Sequence, residues 1–399
     1  MMKSAFARTL PFAAALTLAA LAPAAAQSKP QVATAANAFG IDLLGKLIKA
    51  QPDDNCFISP YSVQQALLLA DNGAGGITRK QIGTVLHLGT TPLATINAQA
   101  KSLRLSLASA DPKVKISIAN GLWADRSFKF GANYQETCRA FYAAQTQTVS
   151  LRQPSGAAAI NAWAAQKTEG KIKTIVSPQD LESAVMVLTN ALYFHGTWTD
   201  PFRAKDTEHQ TFHLTPQKTE QTLTMTQMGM IDYAKTDDWE AVALPYGGGR
   251  LRMVVVLPSE SQGLNAYVSS LTPDKWSVMA KRLRPTRLRL FLPKAHTEYG
   301  ASLNPALGSL GMRQAFQSNA DFSRIGSGVL ISDIVHKTTL DIDEKGTTAA
   351  AVTAVIGTLS VAAPSPIIMR VDRPFFCAIQ DTQTGVMLFA GVIRKPQAE

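Results

Sequence analysis

The 399-residue sequence predicts an α+β protein, on three observations. Helical spacing crowds the first half, strand patterns dominate from about residue 185, and the two kinds do not alternate strictly. A doubly wound sheet needs that alternation; its absence points to helices and sheets in separate stretches of chain. Apolar residues make up 46% of the chain and charged residues 17%. That balance supplies a large core and excludes a disordered, collagenous or disulfide-built protein.

Residues 1–26 stand apart from the fold. Lys3 and Arg8 open a positive start, residues 10–21 are apolar apart from Thr17, and Ala24, Ala25 and Ala26 precede Gln27. This is the pattern of a secretory signal peptide, and its apolar run is too short for a membrane span. A secreted or periplasmic protein is expected, with one domain over residues 27–399. The net charge of +10 loses the two positive charges of the leader. Cys56, Cys138 and Cys377 cannot all pair within one chain and lack metal-ligand spacing, so buried free thiols are expected.

Phe39, Leu43, Leu44, Leu47 and Ile48 fall at helical spacing, and Pro52-Asp53-Asp54-Asn55 ends that helix. Ser59-Pro60 opens a second helix, stopped by Asn72-Gly73. Val114-Lys115-Ile116-Ser117-Ile118 alternates as a half-buried strand should, and residues 157–166 read as helix. Strands follow at 185–188, 252–257 and 287–292; two more, at 375–379 and 386–393, flank a turn around Thr384-Gly385. Between them, residues 344–366 are almost wholly Gly, Ala, Thr, Val and Ser, ending in two prolines. So long a small-residue segment between strands marks a functional loop or a strand that packs poorly.

Catalytic patterns are missing. No serine is followed three residues later by lysine, and no G-x-S-x-G, H-E-x-x-H or close cysteine pair occurs. The chain is therefore not read as an enzyme, and no metal or cofactor is expected. Gly40 to Lys46 fits the start of a phosphate loop, but Leu47 stands where Ser or Thr is needed and the residues belong to an amphipathic helix. His209 and His213 sit in a strand-like stretch, where four residues span roughly 13 Å, too far for one ion. The basic residues Lys281, Arg282, Arg284, Arg287 and Arg289 read as a helix end followed by the wet face of a strand. No aromatic residues interleave them as a nucleic-acid platform requires.

Four separated blocks resemble the serpin superfamily, and together they span residues 35–395. They are Asn55-Cys56-Phe57-Ile58-Ser59-Pro60-Tyr61-Ser62; Asn190-Ala191-Leu192-Tyr193-Phe194-His195-Gly196-Thr197-Trp198 with Pro201-Phe202; and His336-Lys337 through Asp343-Glu344-Lys345-Gly346-Thr347-Thr348-Ala349-Ala350-Ala351. The last comprises Asp372-Arg373-Pro374-Phe375 with Leu388-Phe389-Ala390-Gly391. The resemblance implies three β-sheets, eight or nine helices and an exposed reactive-centre loop at about 344–366. It implies an inhibitor of serine proteases: the loop is cut, the protease is trapped as its acyl-enzyme, and the cut loop inserts into the main sheet. Loop insertion that releases stored strain is an established kind of switch.

The resemblance also distributes roles. Glu344, Gly346, Thr347, Thr348, Ala349, Ala350 and Ala351 would form the hinge. Ser59, Ser62, Asn190 and His336 would form a polar cluster beneath the opening of the sheet, Trp198 would cover its top, and Lys294 would pair with Glu344. Family spacing puts the reactive bond at Ser360-Val361, with Leu359-Ser360 as rival. No Lys or Arg occurs from Gly346 to Met369, so an elastase-, subtilisin- or chymotrypsin-like partner is expected rather than a trypsin-like one. Val352 is bulkier than its neighbours and is expected to face outward. A monomer is expected, with no nucleic-acid or membrane partner. The alternative is a non-inhibitory binding or chaperone-like protein of the same fold; a bulky or charged hinge would mark it, and this hinge is small and uncharged.

Overall fold

The computed structural model describes residues 30–326, 328–347 and 365–396. The leader and most of the reactive-loop stretch, including Thr348 to Ala351 and the Leu359-Ser360-Val361 bonds, lie outside the described residues. No described helix is long and apolar enough to cross a membrane.

Among the described residues, six α-helices come before residue 170: α1 (Gln31–Ala50), α2 (Pro60–Gly73), α3 (Gly76–Val85), α4 (Leu93–Ala108), α5 (Ala132–Tyr142) and α6 (Pro154–Lys167). Three short ones follow, α7 (Gly263–Ser270), α8 (Pro273–Arg282) and α9 (Asn304–Leu310). Helix α2 is the most enclosed, with every residue from Pro60 to Gly73 buried. Its start is specified locally: Ser59 accepts the Ser62 amide as N-cap and Pro60 occupies the first turn. Gly40 and Lys46 lie on α1, so the phosphate-loop reading ends in a core helix.

The first sheet runs in the order β10 (Ala295–Ser302), β11 (Asp333–Ile342), β4 (Met186–Thr197), β2 (Val114–Asp125) and β3 (Gln145–Val149). A short β12 (Gly346–Thr347) adds to β4. The second network joins β1 (Cys56–Ile58), β15 (Met387–Ile393), β14 (Phe375–Asp381), β8 (Leu251–Pro258) and β7 (Trp239–Tyr246). It continues through β6 (Lys218–Lys235) to β9 (Arg284–Pro293) and β13 (Ile367–Arg370), with β5 (Glu208–Thr215) on the other side of β6. The three expected sheets are present, two of them fused because β6, 18 residues long, runs through both. His209 and His213 fall on β5, in extended chain.

β4 is much longer than the stretch 185–188 that its pattern announced. Residues 186–194 are buried on both faces, so no alternation marks the strand. One face packs on the main core with Leu188, Leu192 and Phe194. The other, with Val187 and Ala191, lies beneath α6 and residues 172–176 in a second apolar cluster. All three cysteines are buried and free, and burial pushes each thiol up to about 12, well away from reactivity.

Candidate functional site

The seam between β4 and β11 changes character along its length. The two strands pair in parallel over six positions, from Asp333 opposite Val187 to Thr338 opposite Leu192. Above that level each keeps its other neighbour: β11 stays paired to β10 up to Ile342, and β4 to β2 up to Gly196. Their facing edges part. The hydroxyl of Thr339, just above the last pair, is buried without a partner.

The chain reverses at once beyond β11. Asp343 exchanges backbone hydrogen bonds with Gly346, and its carboxylate accepts the amides of Lys345 and Gly346 at 2.8 and 3.0 Å. The reversal sets Gly346 opposite Thr197 and Thr347 opposite Gly196, antiparallel to β4. Only glycine fits this turn. Its φ is +136°, and a Cβ on residue 346 would stand 2.1 Å from the Gly196 carbonyl oxygen.

Five contacts hold the reversal. Lys294 Nζ lies 3.0 Å from the Glu344 carboxylate, and Thr207 donates to it at 2.9 Å. Burial raises the Glu344 pKa, but a backbone amide, Lys294 and Thr207 outweigh it and hold the carboxyl below its ordinary value. The Phe202 amide donates to the Glu344 carbonyl, and the Trp198 amide to that of Lys345. The Trp198 indole N–H donates to the Asp343 carbonyl at 2.9 Å, while its ring stacks on Tyr246 at 4.3 Å. Trp198 is thus both core and cover: it is buried, and it fastens the turn above the opening.

The polar cluster lies level with the paired half. Ser59, Ser62, Asn190 and His336 are each fully buried. The Ser59 amide donates to His336 Nε2 at 3.1 Å, which leaves the ring proton on Nδ1 to donate to Asn190 Oδ1 at 2.6 Å. Asn190 Nδ2 donates to Ser62 Oγ and to Asn120 Oδ1, and Ser59 Oγ donates to the Leu388 carbonyl. Burial drives the His336 pKa down to about 3, so the ring is neutral and serves once as acceptor and once as donor. Five segments far apart in sequence are tied together here, across the β4–β11 pair.

The structure thus brings Lys294, Trp198, Glu344 and Gly346 together at the top of the seam, and Ser59, Ser62, Asn190 and His336 at its closed half. Thr207 and Asn120 belong to these groups and went unnoticed in the sequence. Each is an ordinary polar residue whose partner is distant in the chain, and no local signal marks either. Position 352, expected to face outward, lies outside the described residues. In the basic cluster, Arg284 donates to the carbonyls of Lys281 and Leu283 at the end of α8, as a helix-end reading requires.

A family profile described as Serpin (serine protease inhibitor) matches residues 34–396, and the chain belongs to that family. It is 36% identical over 381 residues to a serpin-like protein of Thermococcus kodakarensis, covering 93% of this chain and 87% of that one. It is 31% identical over 380 residues to leukocyte elastase inhibitor A of Mus musculus, covering 92% and 100%. Among solved structures, human thyroxine-binding globulin with its ligand superposes at TM-score 0.85 with 26% identity, over 92% of this chain and 99% of that one.

Proposed function

We propose that the chain inhibits serine proteases by offering residues 344–366 as bait and drawing the cut loop into the β4–β11 seam. One observation carries the reading: β12 already lies antiparallel on β4, at the mouth of an opened parallel pair. A strand entering between two parallel strands runs in the same sense relative to both, and a segment that doubles straight back from the end of β11 enters antiparallel to each, the sense that β12 already has on β4. The turn at Asp343 to Gly346 has made that reversal before any cut.

Continuing the register sets Ala349 opposite Phe194, Ala351 opposite Leu192 and Thr353 opposite Asn190, all on the main-core side. Small side chains suit that packed face, and the one hydroxyl among these three arrives at the polar cluster. Entry must break the six existing β4–β11 pairs. The energetic return comes from two new ladders, and the uncut form is kinetically held. The protease's serine would attack the Ser360 carbonyl, releasing the chain from Val361 onward and leaving the ester to be carried along. With no cation from Gly346 to Met369, elastase-, subtilisin- or chymotrypsin-like clefts fit better than trypsin's. The elastase inhibitor among the relatives agrees with that choice.

Fold alone does not separate inhibition from carriage, since a thyroxine-binding globulin shares it. The small, uncharged hinge favours inhibition. Export through residues 1–26, a single domain and a monomeric state belong to the same proposal. Incubation with a panel of serine proteases, followed by denaturing electrophoresis, should show a covalent complex and a released peptide beginning at Val361. Clean cleavage with no complex, and no gain in melting temperature after the cut, would favour the non-inhibitory alternative.

A further inference from the structure

Seven large apolar side chains stand exposed among the described residues, and four of them, Met228, Met230, Ile367 and Ile368, gather on β6 and β13. These strands flank β9. Across the three strands Met228 lies opposite Arg289 and Arg289 opposite Ile368; one step along, Thr226 lies opposite Phe291 and Phe291 opposite Arg370. Paired residues share a face, so Met228, Arg289, Phe291, Ile368 and Arg370 form one surface. The Arg370 guanidinium lies 3.9 Å from the centre of the Phe291 ring and that of Arg289 5.8 Å from it, which gathers two cations over one aromatic ring.

This face is one wall of a cleft of about 1580 Å³ whose lining reaches Trp198, Glu344 and Lys345 of the hinge. Small-molecule pockets run to roughly 300–1,000 Å³ and are far more enclosed, so the cleft suits a macromolecule's surface. The lining also carries Asp206, Glu208 and Asp232 beside Arg203, Arg252 and Lys345.

We infer that the β6–β9–β13 face is a docking surface for the target protease, and that it favours enzymes with an acidic, partly apolar patch beside the active-site cleft. The inference rests on the inhibitory reading for the identity of the partner. Chain continuity supplies the occupant: β13 begins two residues after Ser365, and the proposed Ser360-Val361 bond is only six residues from Ile367. Six extended residues span at most roughly 22 Å. An enzyme holding that bond is therefore brought within reach of Ile368, Arg370 and Arg289. Cationic groups there raise the rate of encounter with an acidic partner, while the exposed methionines adapt their shape to it.

Two measurements test this with the full-length protein. The first titrates catalytically inert serine proteases, their active serine replaced by alanine, against the parent, R289E/R370E and M228S/M230S. Both variants should bind an acidic-surfaced protease roughly ten-fold more weakly, and the arginine variant should lose most of its salt dependence. The second follows trapping by active enzymes. The association rate should fall by a similar factor with the stoichiometry of inhibition unchanged, because the hinge and loop are intact. Equal binding by parent and variants, or no binding of any inert protease, overturns the docking surface. So does a loss that appears only with heparin or anionic vesicles. Docking without trapping overturns the inhibitory reading and leaves this one standing.

Discussion

The lower and upper halves of the β4–β11 seam are built from the same two strands and held by different physics. The lower half is closed by six ladder positions and a buried cluster in which His336, Asn190, Ser59 and Ser62 satisfy one another. The upper half has no ladder between the strands. It is capped by a four-residue turn fastened to Trp198, Phe202, Thr207 and Lys294. A buried polar network is stable only when complete, so the lower half resists piecemeal loss. The upper half depends on a few partly exposed contacts and is where the proposed insertion would begin. On that reading one sheet carries a lock and a doorway in line.

The largest expected effect comes from blocking the doorway's product. Ala351→Arg would carry a guanidinium to the position opposite Leu192, into a packed apolar core without a partner. Trapping should give way to plain cleavage, with the stoichiometry of inhibition rising roughly ten-fold or more as deacylation outruns insertion. Unchanged trapping by this variant would break the comparison, since the upper seam would then not be the path of entry.

Gly346→Ala attacks the turn itself. The backbone is strained for any other residue, and the methyl would meet the Gly196 carbonyl at 2.1 Å. A loss of about 2–3 kcal/mol is expected, with faster hydrogen exchange at the amides of Trp198 and Phe202. Protection unchanged at both amides would show that the turn does not hold the upper half.

The lock should be sensitive to acid. His336 titrates at about 3 when folded, far below an exposed histidine, so the native state excludes its charged form. Its contribution is complete above about pH 6.5 and is lost as pH falls toward the folded value, at up to roughly 1.4 kcal/mol per pH unit. Asp71 works in the opposite sense: burial raises its carboxyl to about 6, so acidification favours the fold there. A difference measurement removes that background. His336→Gln keeps one donor and one acceptor but cannot titrate, and its melting temperature should fall less steeply than the parent's between pH 6.5 and 4. Parallel curves would mean that the cluster opens to water.

The smallest effect is at the hinge ion pair. Lys294→Ala leaves Glu344 with Thr207 and a backbone amide, at a cost of about 1–2 kcal/mol for a charge-assisted contact that is only partly buried. Loosening the cap should make spontaneous conversion to a non-inhibitory form faster on warming, measured as loss of trapping capacity with time. A variant as durable as the parent would assign the hold on the upper half to Trp198 and Gly346 instead.

Much of this was legible without coordinates. The helix spacing around Phe39 to Ile48, the Ser59-Pro60 start, the four family blocks and the small-residue run after Glu344 are local patterns, and local patterns survive in a linear text. The Lys294–Glu344 pairing came through resemblance, and its 3.0 Å geometry through the fold. β4 was nearly invisible because a strand buried on both faces has no alternation to read. Thr207 and Asn120 entered the site through contacts 137 and 70 residues away in the chain. The covered face over Ala191 depends on where α6 comes to rest. The sequence by itself determined which segments could be helix, strand and bait, because backbone preference and side-chain period act over a few residues. Only the tertiary structure decided where the seam closes and where it stands open, because that balance is struck between strands β4 and β11, about 150 residues apart in the chain.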